Sequence, residues 1–228
     1  MICDKTITCF IPAKGTSTRM AHKNLRQCDG LSLVAHAAIK AESCGIFDTI
    51  VVSTDSIEIT LEASNAIDSP VLIHDRPSYL CTETSKVWDA VKHWIHDGGK
   101  PVQTDYICMI HPTSPCLKPL TIVAGIRMML ESGRQSLISV TKASPYHFGS
   151  ADRPDFSITT GTQFEAEYFS LNNAIHVIPW SCAAQGQSIY ATDWTFYPIP
   201  ADEGIDIDVE SDLQMAEAIL QWRMTNDR

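Results

Sequence analysis

The sequence predicts an α/β fold in which a mostly parallel central sheet is covered by helices on both faces. Short apolar runs without polar alternation recur along the chain, as in strands that are buried on both faces. Between these runs, apolar residues take the spacing of amphipathic helices. The chain has 228 residues and a hydrophobic content of 44%. It is therefore long enough to form one core, and we expect a single domain over residues 1–228.

The first half of the chain alternates strands with helices. The predicted strands are 6–11, 49–53 and 70–73, and the predicted helices are 31–44, 56–65 and 82–95. In the first helix, positions 33, 34, 37, 38 and 41 are apolar and share one face. The third helix is expected to end before the Gly98-Gly99 pair, because glycine typically terminates a helix.

The second half continues the pattern after one interruption. The predicted strands are 106–110, 136–141, 174–178 and 196–199, and the predicted helices are 120–130 and 211–223. Between them, residues 144–172 carry several aromatic side chains without a helical period, which indicates short strands or an arm. Burial of these aromatics against a partner subunit and burial on the parent domain are both compatible with this pattern.

Polar segments follow the predicted strands at residues 11, 53 and 110. The carboxyl ends of parallel strands lie at one edge of a sheet, where ligands bind in open α/β folds, so we expect these segments to meet there. The third segment reads His111-Pro112-Thr113-Ser114-Pro115. A sugar-binding loop and a tight exit turn both fit its hydroxyls and prolines.

The first of these segments, IPAKGTSTRMAHKN at residues 11–24, interleaves small residues with Lys14, Arg19, His22 and Lys23. The whole chain has a formal net charge of -10, yet its first 26 residues hold five of the 17 lysines and arginines. One cationic loop in an acidic protein favours a small anionic ligand such as a polyphosphate over nucleic acid. The alternative is that Lys14 and Lys23 are ordinary solvated side chains of a surface loop.

A second group of charged residues lies in the segment GIDIDV at residues 204–209. In an extended chain Asp206 and Asp208 point to one side, while Ile205, Ile207 and Val209 anchor the other. Two carboxylates of this kind suit Mg²⁺ that is shared with a substrate phosphate. Alternatively, the aspartates are polar residues ahead of the last helix, which would begin with a capping box at residues 211–214.

Several classes of protein are excluded by composition. No window reaches the roughly 18 consecutive apolar residues of a membrane-spanning helix, and the first ten residues lack the layout of a signal peptide. The eight cysteines are scattered without a CxxC pair, so buried thiols are favoured over a disulfide framework or a zinc site. We therefore expect a cytoplasmic protein that contacts neither membrane nor nucleic acid.

Six motifs occur in one order: IPAKGTSTRMAHKN (11–24), VSTD (52–55), RPSYL (76–80), HPTSP (111–115), NNAIH (172–176) and GIDIDVESDL (204–213). In this combination the chain resembles the acylneuraminate cytidylyltransferases, or CMP-sialic acid synthetases, over residues 5–222. The resemblance implies a Rossmann-like nucleotidyltransferase fold and a homodimer. It also implies that residues 144–172 form a protruding arm that helps to close the active site of the neighbouring subunit.

The resemblance further implies that CTP and a nonulosonic acid, a nine-carbon 2-keto sugar acid, are converted to a CMP-sugar and pyrophosphate with Mg²⁺ as cofactor. Lys23, Asp206 and Asp208 would be catalytic, and the two aspartates would bind the metal. The implied nucleotide-binding residues are Lys14, Ser17, Arg19, Lys23, Asn24 and Arg76. The implied substrate-binding residues are His111, Thr113, Asn172, His176 and Tyr190.

The chain departs from the family pattern at several of these positions. The family usually has arginine at Lys14, glutamine at His111, tyrosine at His176 and serine near Val87. An ordinary surface ion pair remains the alternative for Arg76. Two other functions also stay open: a CMP-octulosonate type of nucleotidyltransferase, which the STRM sequence at residues 17–20 favours, and a catalytically weak nucleotide-binding homologue.

Overall fold

A computed structural model of the protein describes residues 2–98, 101–142 and 169–226. The strands of the main sheet and a small hairpin are β1 (Ile7–Pro12), β2 (Gln27–Cys28), β3 (Leu31–Ser32), β4 (Thr49–Thr54), β5 (Val71–Asp75), β6 (Tyr106–Ile110), β7 (Ser136–Lys142), β8 (Phe169–Pro179) and β9 (Trp194–Ile199). The helices are α1 (Leu33–Cys44), α2 (Ile57–Asn65), α3 (Val87–His96), α4 (Pro119–Glu131), α5 (Trp180–Ala184) and α6 (Glu210–Asn226). Short 3₁₀ helices lie at Lys23–Leu25, Ser78–Leu80 and Ile189–Ala191.

The main sheet has seven strands in the order β5-β4-β1-β6-β8-β7-β9. The pairs β4–β5, β1–β4, β1–β6 and β7–β9 are parallel, whereas β8 runs antiparallel to both β6 and β7. The predicted mostly parallel sheet is therefore confirmed. Strands β1, β4 and β6 are almost fully buried, which explains why each is a continuous apolar run in the sequence.

Helices cover both faces of the sheet. On one face, α1, α2 and α4 pack against the alternate side chains of β1, β4 and β6, such as Cys9, Val52 and Cys108. On the other face, α3 and α5 pack against Phe10, Met109 and their neighbours. A third apolar cluster joins α6 to the loop after β1 through Ile207 and Met20. This third cluster brings the two ends of the chain together.

Two helices begin later than predicted. The β2–β3 hairpin precedes α1, so the helix starts at Leu33, and the hydroxyl of Ser32 accepts the Ala35 amide as its cap. Helix α3 starts at Val87 instead of residue 82. There the hydroxyls of Thr82, Thr84 and Ser85 bond to one another, which offers the chain an alternative to helical hydrogen bonds.

The interpretation of residues 144–172 as an arm falls mostly on residues 143–168, which lie outside the described residues. From Phe169 onward the chain belongs to β8 of the main sheet, so residues 169–172 of the predicted arm form part of a strand. The capping box predicted at residues 211–214 is wrong. Helix α6 begins at Glu210, and the Asp212 carboxylate accepts the amides of Asp208 and Val209, each at 2.9 Å.

Within the described ranges, no helix combines the length and the apolar character that crossing a membrane requires.

Candidate active site

The loop after β1 is fixed to the neighbouring strand β4 at the carboxyl edge of the sheet. The Ala13 amide donates to the carbonyl of Ser53 at 2.9 Å, and the Gly15 amide donates to the Asp55 carboxylate at 2.6 Å. The Asn24 side chain closes the loop by donating to the Lys14 carbonyl at 2.9 Å. The polar segments after β1 and β4 therefore meet at one edge, as predicted.

The side chains at the start of this loop face the segment that follows Leu80. Lys14 Nζ donates to the carbonyl of Thr82 at 2.9 Å, and Thr16 Oγ1 donates to the carbonyl of Cys81 at 2.9 Å. Lys14 is thus tied to a neighbouring segment and is not a freely solvated charge. Ser17, another predicted nucleotide-binding residue, is half-buried and has no hydrogen-bond partner among the described residues.

The far end of the loop contacts the second predicted group of charges. Lys23 Nζ donates to the Asp208 carboxylate and to the Ile207 carbonyl, each at 2.9 Å, and Arg19 pairs with the other carboxylate oxygen of Asp208. Only 13% of the Lys23 side chain is exposed. The structure therefore joins Lys23, Arg19 and Asp208 in one cluster, and the solvated-charge alternative for Lys23 is wrong.

The charge of Asp208 is set by this cluster. Its partial burial acts to raise the pKa of the carboxyl, but the hydrogen bond and the charge of Lys23, helped by Arg19, hold the pKa below its ordinary value. Asp208 is therefore ionised at neutral pH. Such a carboxylate can compensate nearby cations or bind a metal ion.

Asp206 lies two residues earlier in an irregular segment. It is half-buried and has no hydrogen bond or ion pair within the described part of the chain. Ile207 between the two aspartates is fully buried, and its amide donates to the Thr113 carbonyl at 2.8 Å. Val209, by contrast, is 45% exposed, so the expectation that it anchors the segment is wrong.

The two aspartates fit a magnesium ion only if a substrate supplies further ligands. Among the described residues, no group of three or more histidine, cysteine, aspartate or glutamate side chains is arranged to hold a metal. Mg²⁺ commonly binds one or two carboxylates together with water and substrate phosphates. The carboxylate of Asp206, without a partner in the described chain, and the ionised Asp208 match that donor set.

A group of aromatic rings lies beside this cluster. The His111 and His176 rings stand perpendicular, with centroids 5.9 Å apart, and the Trp88 ring of α3 lies 6.4 Å from His176. Burial lowers the pKa of His111 to about 4, with a smaller effect of the Lys23 charge. Burial, with the nearby His111, lowers the pKa of His176 to about 3. Both imidazoles are therefore neutral at pH 7.

His176 is short of polar partners. Both of its ring nitrogens are buried and have no hydrogen-bond partner among the described residues. Nε2 of His111 lies 3.1 Å from the sulfur of Met109. A neutral imidazole offers one donor and one acceptor, so this pair suits a neutral polar group better than a carboxylate.

Other predicted substrate-binding residues are placed differently. Asn172 is buried, and its amide group bonds to Ser139, Thr141 and the Ala174 amide. These bonds tie β8 to β7. Tyr190 is 55% exposed and meets Trp194 edge-on at 6.3 Å, so it lies open to solvent.

Arg76 is neither solvated nor part of a surface ion pair. It is 4% exposed, and its Nε donates to the Leu80 carbonyl at 2.9 Å. Its own amide donates to the Thr54 carbonyl at 2.8 Å. Arg76 therefore shapes the turn after β5, and the surface ion-pair alternative is wrong.

Two kinds of residue in this region were not predicted from the sequence. Asp55 was not assigned a role, although its position directly after β4 is the signal that could have placed it at the site. The buried charges of Lys40, Glu203 and Arg223 were also missed. For Lys40 the signal is its spacing, because it stands three residues after Ala37 and four before Cys44 on the apolar face of α1.

A model of the family described as "Cytidylyltransferase" matches residues 8–219. The chain belongs to the cytidylyltransferase family. Among curated relatives of this chain, the CMP-N,N'-diacetyllegionaminic acid synthase of Legionella pneumophila is 28% identical over 227 residues, which cover 94% of this chain and 96% of the relative. The N-acylneuraminate cytidylyltransferase A of Danio rerio is 24% identical, covering 92% of this chain and 50% of the relative. The chain thus spans about half the length of that fish protein.

A solved structure of a CMP:2-keto-3-deoxy-manno-octonic acid synthetase complexed with CTP is similar to this chain with a TM-score of 0.72. The two share 13% sequence identity, and the alignment covers 96% of this chain and 99% of that one. At this identity the likeness establishes the fold. The predicted Rossmann-like nucleotidyltransferase fold is therefore confirmed.

Proposed function

We propose that this protein transfers the cytidylyl group of CTP to a sialic-acid-like nonulosonic acid, giving the CMP-sugar and pyrophosphate. The observation that carries the proposal is the cluster in which Lys23 and Arg19 meet Asp208 at the carboxyl edge of the sheet. This cluster would supply cations for a triphosphate and, together with Asp206, carboxylates for a metal. Membership of the cytidylyltransferase family supports CTP as the nucleotide.

In the proposed reaction the anomeric hydroxyl of the acid attacks the α-phosphorus of CTP. The new oxygen–phosphorus bond forms as the bond to the bridging oxygen of pyrophosphate breaks, and the hydroxyl proton passes to solvent. Such reactions depend mainly on positioning and on neutralisation of charge. Lys14, Arg19 and Lys23 would neutralise the triphosphate, and Ser17, Asn24 and Arg76 would hold or shape the nucleotide side.

Magnesium would be held by Asp206 and Asp208 and would neutralise charge that develops on the phosphate oxygens. For Asp208 this requires an exchange of partners, because both of its oxygens contact Lys23 and Arg19. An incoming triphosphate is the natural new partner for these two cations. Binding of CTP and of the metal is therefore expected to be cooperative.

The nature of the acceptor is supported by the relatives and by the histidine pair. Curated relatives are named for N-acylneuraminate, diacetyllegionaminic acid and pseudaminic acid. His111 and His176 would face a neutral substituent of the sugar, with Thr113 on the same loop and Tyr190 at the open rim. Both histidines offer a hydrogen-bond donor and an acceptor, which suits an acylamino or hydroxyl group.

The proposal includes a cytoplasmic location and a homodimer. All eight cysteines are free, and six of them are buried, which fits a reducing compartment. The homodimer rests on the family resemblance, and light scattering coupled to size exclusion would test it: a mass near twice 25.2 kDa supports it, and the monomer mass refutes it.

The experiment is a pyrophosphate-release assay with CTP and Mg²⁺ over a panel of N-acetylneuraminic, diacetyllegionaminic, pseudaminic and octulosonic acids. We expect the highest kcat/KM with one of the three nine-carbon acids. Preference for the octulosonic acid would assign the other branch of cytidylyltransferases. Binding of CTP without turnover of any acid would refute the proposed enzymatic activity and would indicate a nucleotide-binding homologue.

A further inference from the structure

Three buried charged side chains hold the backbone directly behind the candidate site. Lys40 of α1 donates to the Ser114 carbonyl at 2.5 Å, and Arg223 of α6 donates to the Cys116 carbonyl at 2.6 Å. Glu203 accepts the Lys118 amide at 3.0 Å. These contacts fix the chain between β6 and α4, which we call the 114–118 segment. Each charge comes from a different part of the sequence.

Lys40 is less compensated than Arg223. It is 5% exposed, and the Ser114 carbonyl is its hydrogen-bond acceptor. Arg223 also pairs with Asp202, whereas Lys40 has no ion pair within the described part of the chain. An ammonium group buried without a paired carboxylate opposes folding. Stability alone therefore does not account for a lysine at this position.

The 114–118 segment leads directly to the aspartates. The Thr113 carbonyl accepts the Ile207 amide at 2.8 Å, and the Ile207 carbonyl accepts Lys23 Nζ at 2.9 Å. Residues 204–208 belong to no helix or strand, so these bonds determine where the aspartates lie. A continuous set of contacts thus runs from Lys40 through Ser114 and Thr113 to Ile207.

We propose that Lys40 is a positioning residue, whose buried ammonium fixes the 114–118 segment and thereby the placement of Asp206 and Asp208. It touches neither substrate nor metal ligand and acts through the backbone. The effect of Lys40 on kcat rests on the proposed cytidylyl transfer. Its effect on hydrogen exchange of the Ile207 amide is independent of that proposal.

The protonation state of Lys40 adds a second readout. The groups that face it are Cys44 on α1, Cys9 on β1, Cys116 in the 114–118 segment and Glu203. Burial lowers the pKa of Lys40 from 10.5 to about 8. Between these values the unfolded chain binds more protons than the folded protein, so this lysine makes stability rise with pH. Loss of positioning would make kcat fall over the same range.

The test compares Lys40→Met with Lys92→Met, the same change at an exposed lysine on α3, by hydrogen exchange and steady-state kinetics. In Lys40→Met we expect amide exchange in residues 205–209 to become about tenfold faster and kcat to fall about tenfold. This is the usual scale for a charged hydrogen bond. KM for CTP should not rise, and the midpoint of thermal unfolding should not fall. Lys92→Met should match the wild type in all four measurements.

Two further results strengthen the test. Lys40→Gln keeps an N–H donor without the charge, so it should partly restore both the slow amide exchange and the kcat of the wild type. The fall in kcat above pH 8 should disappear in Lys40→Met. Unchanged exchange in residues 205–209, or a loss of kcat that follows a lowered unfolding midpoint, would overturn the positioning role. If the wild type turns over no acid, the proposed function fails, and the exchange data alone decide the role of Lys40.

Discussion

Lys23 and Asp208 lie 185 positions apart in the sequence, and Lys23 Nζ is 2.9 Å from Asp208 Oδ1. The contact joins the loop after the first strand to the segment before the last helix. Because Arg19 pairs with the second oxygen of the same carboxylate, Asp208 compensates two cations of the proposed triphosphate site. These three side chains are therefore assembled before CTP binds, and they keep a net positive charge.

Replacing Lys23 by methionine should lower kcat by about 10²–10³-fold, the loss typical of removing one preorganised donor from a transition state. Steady-state pyrophosphate release measures this effect. Lys5→Met is the matched control, because Lys5 forms an exposed ion pair with Asp105, and such pairs contribute little. A Lys23→Met enzyme with wild-type kcat would remove this residue from the catalytic machinery.

Asparagine substitutions should distinguish the roles of three aspartates in one short segment. Asp206→Asn and Asp208→Asn should abolish turnover, because a neutral amide is a poor ligand for Mg²⁺. Asp212→Asn should retain most activity and most stability, because the side-chain oxygen of asparagine can still accept the Asp208 and Val209 amides. Activity assays and urea unfolding measure the two effects. Equal activity losses in all three variants would contradict the assignment of the metal ligands.

Gly204 allows a close approach that positions Asp206. A Cβ at residue 204 would collide with Thr141 Oγ1 and lie 3.1 Å from Asn172 Nδ2. Gly204→Ala should therefore cost about 1–3 kcal/mol, as overpacking does, and should lower kcat by displacing the aspartates. Adding Thr141→Ala makes room for the new methyl group and should restore part of kcat. Failure of the double variant to improve on Gly204→Ala would show that the steric account is wrong.

The buried histidine pair should make stability depend on pH. The pKa of His176 is lowered from 6.5 to about 3 in the folded protein, so the unfolded chain binds more protons below pH 6.5. Stability is therefore unaffected above pH 6.5 and falls towards pH 3, by about 1.4 kcal/mol per pH unit for this residue.

Urea unfolding of His176→Phe between pH 7 and pH 4 measures that contribution. The variant should lose less stability on acidification than the wild type. His96→Gln, at an exposed position on α3, should follow the wild-type profile. An unchanged slope in His176→Phe would mean that His176 is not held neutral by burial.

The strands and their carboxyl-edge loops were predictable because each buried strand is a continuous apolar run. Tyr106–Ile110 was predicted with the bounds that the structure has. The starts of α1 and α3 were not, because the β2–β3 hairpin and the hydroxyl cluster at Thr82 and Ser85 compete locally with helix formation. The spacing of apolar residues in the sequence indicates which face of a helix is buried. It does not indicate the capping contacts at which the helix begins.

The charged part of the site was predictable by motif, but its partners were not. Pairing of Lys23 with Asp208 and donation by Arg76 to the Leu80 carbonyl depend on how distant segments pack. The same holds for Asn172, which looks like a ligand in the sequence and bonds to β7 in the fold. A buried lysine such as Lys40 resembles a solvated one until its helix is placed.

Phosphorus-31 NMR of the protein with CTP, Mg²⁺ and the best acid of the panel would follow the proposed transfer of the cytidylyl group at the phosphorus atoms themselves. We predict that a CMP phosphodiester signal and pyrophosphate appear in equal amounts, and that both are absent with Asp208→Asn. CTP that stays intact with every acid, or that is hydrolysed to CMP without a diester signal, would refute the proposed cytidylyl transfer.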